Sequence, residues 1–342
     1  MLRYGLFLCC IFMAKAAFSQ TLGGNAAYSF LKLPAAPIIS AAGGVNVSYK
    51  TNEVSLSANN PSLLSPDLHS QLNASFNSFF GAGRLYSLTG AYHVEKVNTT
   101  FGGHVYYVDY GSLAATDAAG NSNGEFRPMD FVVQFSAAKK YLEKWRYGGT
   151  IKFINSSYQQ YQSSALAVDF GVLFFDSAKS FTASFIAKNM GLQLKSFSGE
   201  KEDLPFDLQV GITKRLSKSP FGFSITAQQL HRFNLLYNDT VFNNENQFTK
   251  PSAFNKLFNH FVFATHIHVG QHLEATFGYN HLRRQELSVP DASNGLTGFS
   301  AGLRIRFSRL QIQYARSTYQ RGIGYHHIGI TAHLNKLAGI GN

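Results

Sequence analysis

The sequence predicts an all-β chain: a transmembrane antiparallel β-barrel of about fourteen strands with a plug segment ahead of it. Three observations predict this fold. Strand-length segments that alternate apolar and polar residues run from about residue 70 to the end. The connections between them are sorted by length. A short apolar leader of the export type opens the chain.

The leader comes first. Arg3 makes a basic start, Leu6 to Met13 form a short apolar run, and Ala17-Phe18-Ser19 supply small residues around a cut near Ser19/Gln20. That pattern reads as a signal peptide over 1–19, and the run is too short to span a bilayer as a helix. Cys9 and Cys10, the chain's two cysteines, both lie in it. The mature chain is therefore expected to hold no disulfide, thiolate metal site or thiol nucleophile. A barrel, which closes its sheet on itself, needs no such staple.

Composition agrees. Charged residues are 14% of the chain, against about 25% in soluble domains. Aromatic residues are also 14%, with 31 Phe and 17 Tyr. Mean hydropathy is −0.09, but alternation hides the apolar character of a membrane barrel from any average. No later stretch approaches the ~18 consecutive apolar residues of a helical span. The formal net charge of +11 is scattered along the chain. Behind an export leader, that basicity points to outer-membrane lipid, lipopolysaccharide or an acidic partner rather than to nucleic acid.

Fourteen strands are read at roughly 70–80, 84–94, 98–111, 129–138, 146–157, 163–175, 180–189, 206–216, 221–231, 259–269, 272–282, 296–306, 309–317 and 324–334. Most are about ten residues, the length a tilted strand needs to cross the hydrocarbon layer. Leu166, Val168, Phe170, Val172 and Phe174 share one face, while Ala167, Asp169, Gly171 and Leu173 share the other. Leu303, Ile305 and Phe307 alternate with Arg304 and Arg306. Leu310, Ile312 and Tyr314 alternate with Gln311, Gln313 and Ala315. Period-two patterning gives each strand one oily and one wetter face. A soluble sandwich shares that pattern.

The connections separate the two. Even-numbered ones are short: 95–97, 139–145, 176–179, 217–219, 270–271 and 307–308. Most odd-numbered ones are long and polar, at about 112–128, 190–205, 232–258 and 283–295. Short turns on one side and long loops on the other are how outer-membrane barrels are built, with the long loops outside the cell. A barrel over 70–334 follows, with a tail at 335–342. Residues 20–69 are not strand-like as a whole. They carry Gly23-Gly24, Pro34, Pro37, Gly43-Gly44 and Asn59-Asn60-Pro61, with a possible helical turn at Ser62–Ser65. Such a segment suits a hatch inside the lumen.

Little in the chain carries chemistry. His260, His266 and His268 share a strand face, and His326-His327 are adjacent. A metal site would need a fixed third ligand and supporting partners, so these read as lumen or interface residues with no metal. Asp169 and Asp207 are expected to face lumen arginines such as Arg304 and Arg306. No Gly-x-Ser-x-Gly elbow and no Gly-x-Gly-x-x-Gly loop is present, so no enzymatic apparatus or cofactor is expected. Tyr141, Trp145 and Tyr147, beside Lys139, Lys140, Lys144 and Arg146, fit an interfacial girdle.

Several stretches together resemble a known family. They are Gly23-Gly24-Asn25-Ala26-Ala27-Tyr28-Ser29-Phe30-Leu31-Lys32-Leu33-Pro34, Ala41-Ala42-Gly43-Gly44 and Asn60-Pro61-Ser62-Leu63-Leu64. Further on come Ser164–Gly171, Lys188–Lys195, Asp203–Gly211 and Gly278–Arg284. In this order they resemble the PorQ family, the barrel component of the Bacteroidetes type IX secretion system, which is similar in architecture to PorV and to FadL-type barrels. FadL-type members carry Asn-Pro-Ala in the hatch; the triplet here is Asn60-Pro61-Ser62. The resemblance implies an outer-membrane scaffold that holds a PorZ-like protein at the surface. Through it the scaffold meets PorU and PorV, where cargo is processed and joined to lipopolysaccharide. The alternative is a FadL-like transporter of a hydrophobic small molecule, which needs an apolar lumen pocket and a lateral opening at a kinked strand. For the scaffold, Phe242, Phe248, Lys250 and Phe254 in the largest loop are the candidate partner contacts.

Overall fold

The computed structural model describes residues 26–78, 81–117, 119–235, 252–287, 295–320 and 323–338. The leader and its cut near Ser19/Gln20, and with them Phe242, Phe248 and Lys250, lie outside the described residues.

The strands are β1 (Gln71–Ser78), β2 (Arg84–Val94), β3 (Thr99–Asp109), β4 (Leu113–Thr116), β5 (Ser122–Phe126), β6 (Met129–Tyr141), β7 (Trp145–Tyr158) and β8 (Tyr161–Asp176). They continue as β9 (Phe181–Lys195), β10 (Asp207–Arg215), β11 (Phe221–Ala227), β12 (Phe261–Val269), β13 (Leu273–Asn280), β14 (Phe299–Arg306), β15 (Leu310–Gln320) and β16 (Ile323–His333). Fourteen of them form one closed antiparallel barrel in chain order, sealed by β1 against β16. The other two, β4 and β5, make a hairpin of their own within the connection after β3.

Closure follows from the alternation. In β8, Leu166, Val168 and Phe170 are exposed on the outside, and Ala167, Asp169 and Leu173 are buried in the lumen. Phe135, Ile151, Phe223, Phe277, Leu303, Ile312 and Ile330 carry the same outward apolar face around the wall. A lipid-facing band with a polar interior is the transmembrane barrel pattern. Tyr141, Trp145 and Tyr147 are exposed at the turn joining β6 to β7, where Lys144 pairs with Asp176 at 2.8 Å.

Two expected strand ends differ by four residues or more. The segment expected to end at 189 is longer: β9 runs to Lys195. Asn189-Met190-Gly191 reads as a turn, but Asn189, with φ 57°, instead forms a bulge, and the strand resumes its pairing with β8 beyond it. The segment read as 221–231 stops at Ala227, and Gln229 turns with φ 53°. The 112–128 connection holds a hairpin. Past β16, a short helix over Leu334–Ala338 opens the tail.

The hatch fills the lumen. It starts at the end with the long connections, where Ala26 forms a parallel bridge with Asp203 between β9 and β10. It ends at the other rim, where Ser70 donates its N–H to the Ala91 carbonyl oxygen at 3.0 Å. Between these points lie helix α1 (Pro37–Ala41) and four 3₁₀ turns at Ser29–Lys32, Val54–Ala58, Pro61–Leu63 and Pro66–Leu68. Pro at the first position of α1 supplies a preset φ where no N–H partner is needed. Nearly every residue from Ala36 to Ser65 is buried.

Candidate functional site

The functional question lies where the hatch meets the wall, and three polar anchors hold it there. The first is the Asn60-Pro61-Ser62 corner. The Asn60 side chain accepts from the Ser62 N–H at 3.0 Å and the Ser62 hydroxyl at 2.7 Å. Its amide donates to the Val47 carbonyl oxygen and the Ser184 hydroxyl, each at 2.8 Å. Asn60 is thus both the cap of the following turn and the bolt to β9. Opposite it, Gly148 of β7 leaves room for backbone: a Cβ there would come within 2.7 Å of the Pro61 carbonyl carbon. Serine in place of alanine adds a hydroxyl bonded within the corner. Asn60→Ala should destabilise the folded barrel by about 2–4 kcal/mol, from lost hydrogen bonds and orphaned buried partners; a thermal shift of the heat-modifiable gel band measures it.

The second anchor is Glu53, wholly buried. It accepts from the Ser55 N–H at 3.1 Å, the Thr331 hydroxyl at 2.8 Å, and the Gln313 amide. Burial raises its carboxyl above the ordinary glutamate value of 4.5, against the pull of Arg304 and these donors. A raised folded-state pKa means that the fold takes up the proton more readily. The stability it contributes is full below the ordinary glutamate range and is lost as pH rises through the raised value. Melting of the wild type should therefore rise relative to Glu53→Gln as pH falls from 8 toward 4.5; parallel curves would refute this.

The third anchor is an ion pair that the sequence reading misses. Glu274 of β13 pairs with Arg304 of β14, directly across the rung, and both are buried. Tyr49 of the hatch donates to Glu274 at 2.6 Å, and Arg304 reaches the Thr51 hydroxyl at 3.0 Å. Burial, then the Glu274 carboxylate, pushes the Tyr49 hydroxyl well above its ordinary value, so it stays a donor. Its ring stacks on His266 at 3.8 Å. Only Arg304 among the expected partners meets a carboxylate in the lumen, and that carboxylate is not an aspartate. Asp169 pairs instead with Lys152 of β7 at 2.7 Å: its direct partner across the rung is Thr150, and Lys152 reaches it diagonally on the same lumen face, near the β9 bulge. Asp207 is bonded by Gln209 and by the Gln229 N–H at 2.6 Å.

Two lumen histidines, His266 and His327, are held in the polar packing. His266 bonds the Ser224 and Thr276 hydroxyls, and His327 bonds those of Ser40 and Ser75. Phe254 lies in α2 (Ala253–Phe258) and is 64% exposed. It stacks on Phe258 at 4.7 Å, which packs on Phe263 of β12. Phe254 therefore continues the outward aromatic face of β12 at the rim with the long connections.

Two cavities lie along the hatch. One, of about 10 Å³, is lined by Pro37, Ile38 and Ala41 against β13–β15, room for about one water. The other, of about 90 Å³, lies beside the β9 bulge, between the hatch residues Leu31–Pro34, Lys188 and the segments around Phe206 and His231. The bulge itself is closed by polar bonds: Asn189 N–H to Asp169 at 2.8 Å and Lys152 to Asn189 at 2.8 Å. The apolar part of the lumen near the long-connection end is filled by Tyr28 and Phe30, with Phe30 stacked on Tyr106.

Closed wall, inward hatch and outward apolar band define an outer-membrane β-barrel of FadL-like architecture. Among solved structures, the chain is similar to one described as the CymD monoaromatic hydrocarbon channel, at 10% identity over 88% of this chain and 96% of that one, with a TM-score of 0.53. A TodX monoaromatic hydrocarbon channel deltaS2 mutant matches at 11% identity over 87% and 96%, with a TM-score of 0.49. A Pseudomonas aeruginosa FadL homologue matches at 10% identity over 87% and 98%, with a TM-score of 0.46. At such identities the likeness is one of fold. No protein-family model matches the chain, and no curated protein matches it.

Proposed function

We propose that this protein is a non-enzymatic scaffold of a type IX secretion system, set in the outer membrane of a Gram-negative bacterium of the Bacteroidetes. In this reading its long connections face the cell exterior and hold a PorZ-like partner. Through that partner they meet PorU and PorV, where cargo is attached to lipopolysaccharide. The single observation that carries the reading is the filled lumen: the hatch is bonded to the wall at three buried polar anchors, which suits a protein that works at its rim. The family resemblance of the hatch and strand motifs supports it from the sequence side. The 232–258 connection, with Phe254 at its end and Phe242, Phe248 and Lys250 within it, is the proposed contact. Shortening it should release the surface partner from the barrel in membrane pull-downs read by mass spectrometry, while the barrel still assembles. Undiminished recovery of the partner would count against the reading.

A second reading is a FadL-like transporter of a hydrophobic small molecule. The fold likeness to a protein described as a hydrocarbon channel supports it and favours it over the scaffold reading. So does the β9 bulge, the kind of strand irregularity that can open a wall. Uptake of a hydrophobic solute by proteoliposomes, abolished when Asn189 is crosslinked to β8, would favour it. Solute-tight vesicles would sink it.

A further inference from the structure

The cavity beside the β9 bulge has a charge pattern found in none of the three anchors described above. Lys188 points into it from β9 and is 9% exposed. Its ammonium group has one hydrogen-bond acceptor, the Asn59 side-chain oxygen at 2.5 Å, and no carboxylate within ion-pair distance among the described residues. The nearest candidate, Asp207, stands opposite on β10 but is already bonded by Gln209 and Gln229. His231 lines the same cavity, and both of its ring nitrogens are buried without a partner. Burial, and then Arg232, His260 and Lys32, hold that ring down to about 4, so it is neutral at physiological pH with one N–H to give. Lys32 and Arg232 complete the lining, which thus carries three cations against one carboxylate.

Buried polar groups without partners are rare in folded proteins, and a buried cation without a counter-charge is costlier still. Here a lysine and a histidine in that condition share one opening. Leu31, Leu33, Pro34 and Phe206 give the lining an apolar wall, with Phe206 set edge-on to the His231 ring at 5.0 Å, beside the amides of Asn59, Asn189, Gln209, Gln228 and Gln229. Polar groups that converge beside an apolar wall fix the orientation of a small molecule.

We propose that this cavity binds a small organic anion, its carboxylate held by Lys188 and His231 and its hydrocarbon body lying against Leu33 and Phe206. The volume of about 90 Å³ is below the roughly 150 Å³ of an apolar cavity known to hold benzene, so the carboxylate end fills the cavity and the rest of the body extends through its opening. The site does not depend on the scaffold reading: loss or retention of the surface partner leaves it untouched.

The test uses the full mature protein in detergent, with benzoate as probe and calorimetry as readout. Saturable benzoate binding is expected, with toluene at least tenfold weaker because it lacks the charge that a buried cation rewards. Lys188→Met should weaken benzoate about tenfold or more, and Asp207→Asn should tighten it. Heat-modifiable mobility shows that each variant is folded. Should Lys188→Met fail to assemble, Arg232→Gln at the cavity edge is expected to weaken benzoate severalfold. Absence of saturation at millimolar benzoate, equal binding of toluene, or unchanged affinity in folded Lys188→Met or Arg232→Gln would each overturn the proposal.

Discussion

Glu274→Gln is expected to destabilise the barrel by about 3–5 kcal/mol, because it leaves the Arg304 guanidinium buried and uncompensated. Arg304 is 3% exposed, its Nε and Nη1 already lack partners, and Glu53, the other carboxylate that acts on it, lies beyond ion-pair distance. The variant also leaves one side-chain oxygen where Tyr49 and Arg304 now bond two, loosening the hatch at the point where it crosses β13. The expected readout is a lower temperature for loss of the compact gel band, together with faster proteolysis of the hatch. The double variant Glu274→Met/Arg304→Met removes both charges and should recover most of the loss, since a buried pair is often replaceable by apolar side chains of similar size. A single variant as stable as the wild type would show that the pair does not hold the plug.

Gly278→Val should unseat the hatch. Gly278 lies on β13 facing the lumen, and any Cβ built there overlaps the backbone of Ala41, Ala42 and Gly43. Overpacking ordinarily costs about 1–3 kcal/mol when side chains can shift aside. Here the obstruction is main chain at the end of α1, so the cost should exceed that range. The hatch would then leave its seat or the barrel would fail to close. In planar bilayers, conductance steps absent from the wild type are the expected sign. Gly103→Ala is the matched control, because nothing lies within 4 Å of a Cβ at Gly103. A silent Gly278→Val would mean that the hatch backbone yields far more easily than its packing implies.

The wall was legible because its physics is local. A strand that faces lipid on one side and a lumen on the other must alternate every second residue. All fourteen barrel strands overlap the segments read that way, and the connections sort by length between the two rims. The errors sit where local signals compete with tertiary pairing. Asn189-Met190-Gly191 has turn composition, yet β8 offers a continuing partner, so the chain bulges and stays in the sheet. The polar anchors were harder still. Glu274 and Arg304 are 30 residues apart, and Glu53 meets Thr331 across 278 residues. No spacing in the sequence announces such pairs. Asp169 drew attention as an inward carboxylate, but register, which sequence patterning cannot fix between strands, gave it Lys152. His231 and Lys188 carry no motif at all, and only the fold brings them to one cavity.

By itself, the sequence determined that this chain is a fourteen-stranded barrel with an oily outer face and a separate segment ahead of it, since period and connection length are properties of neighbouring residues. The tertiary structure alone decided that this segment threads the lumen from the long-loop rim to the other and fills it. That outcome depends on contacts between residues hundreds of positions apart, such as Asn60 with Ser184 and Tyr49 with Glu274. Such contacts exist only once the sheet has closed and set their register.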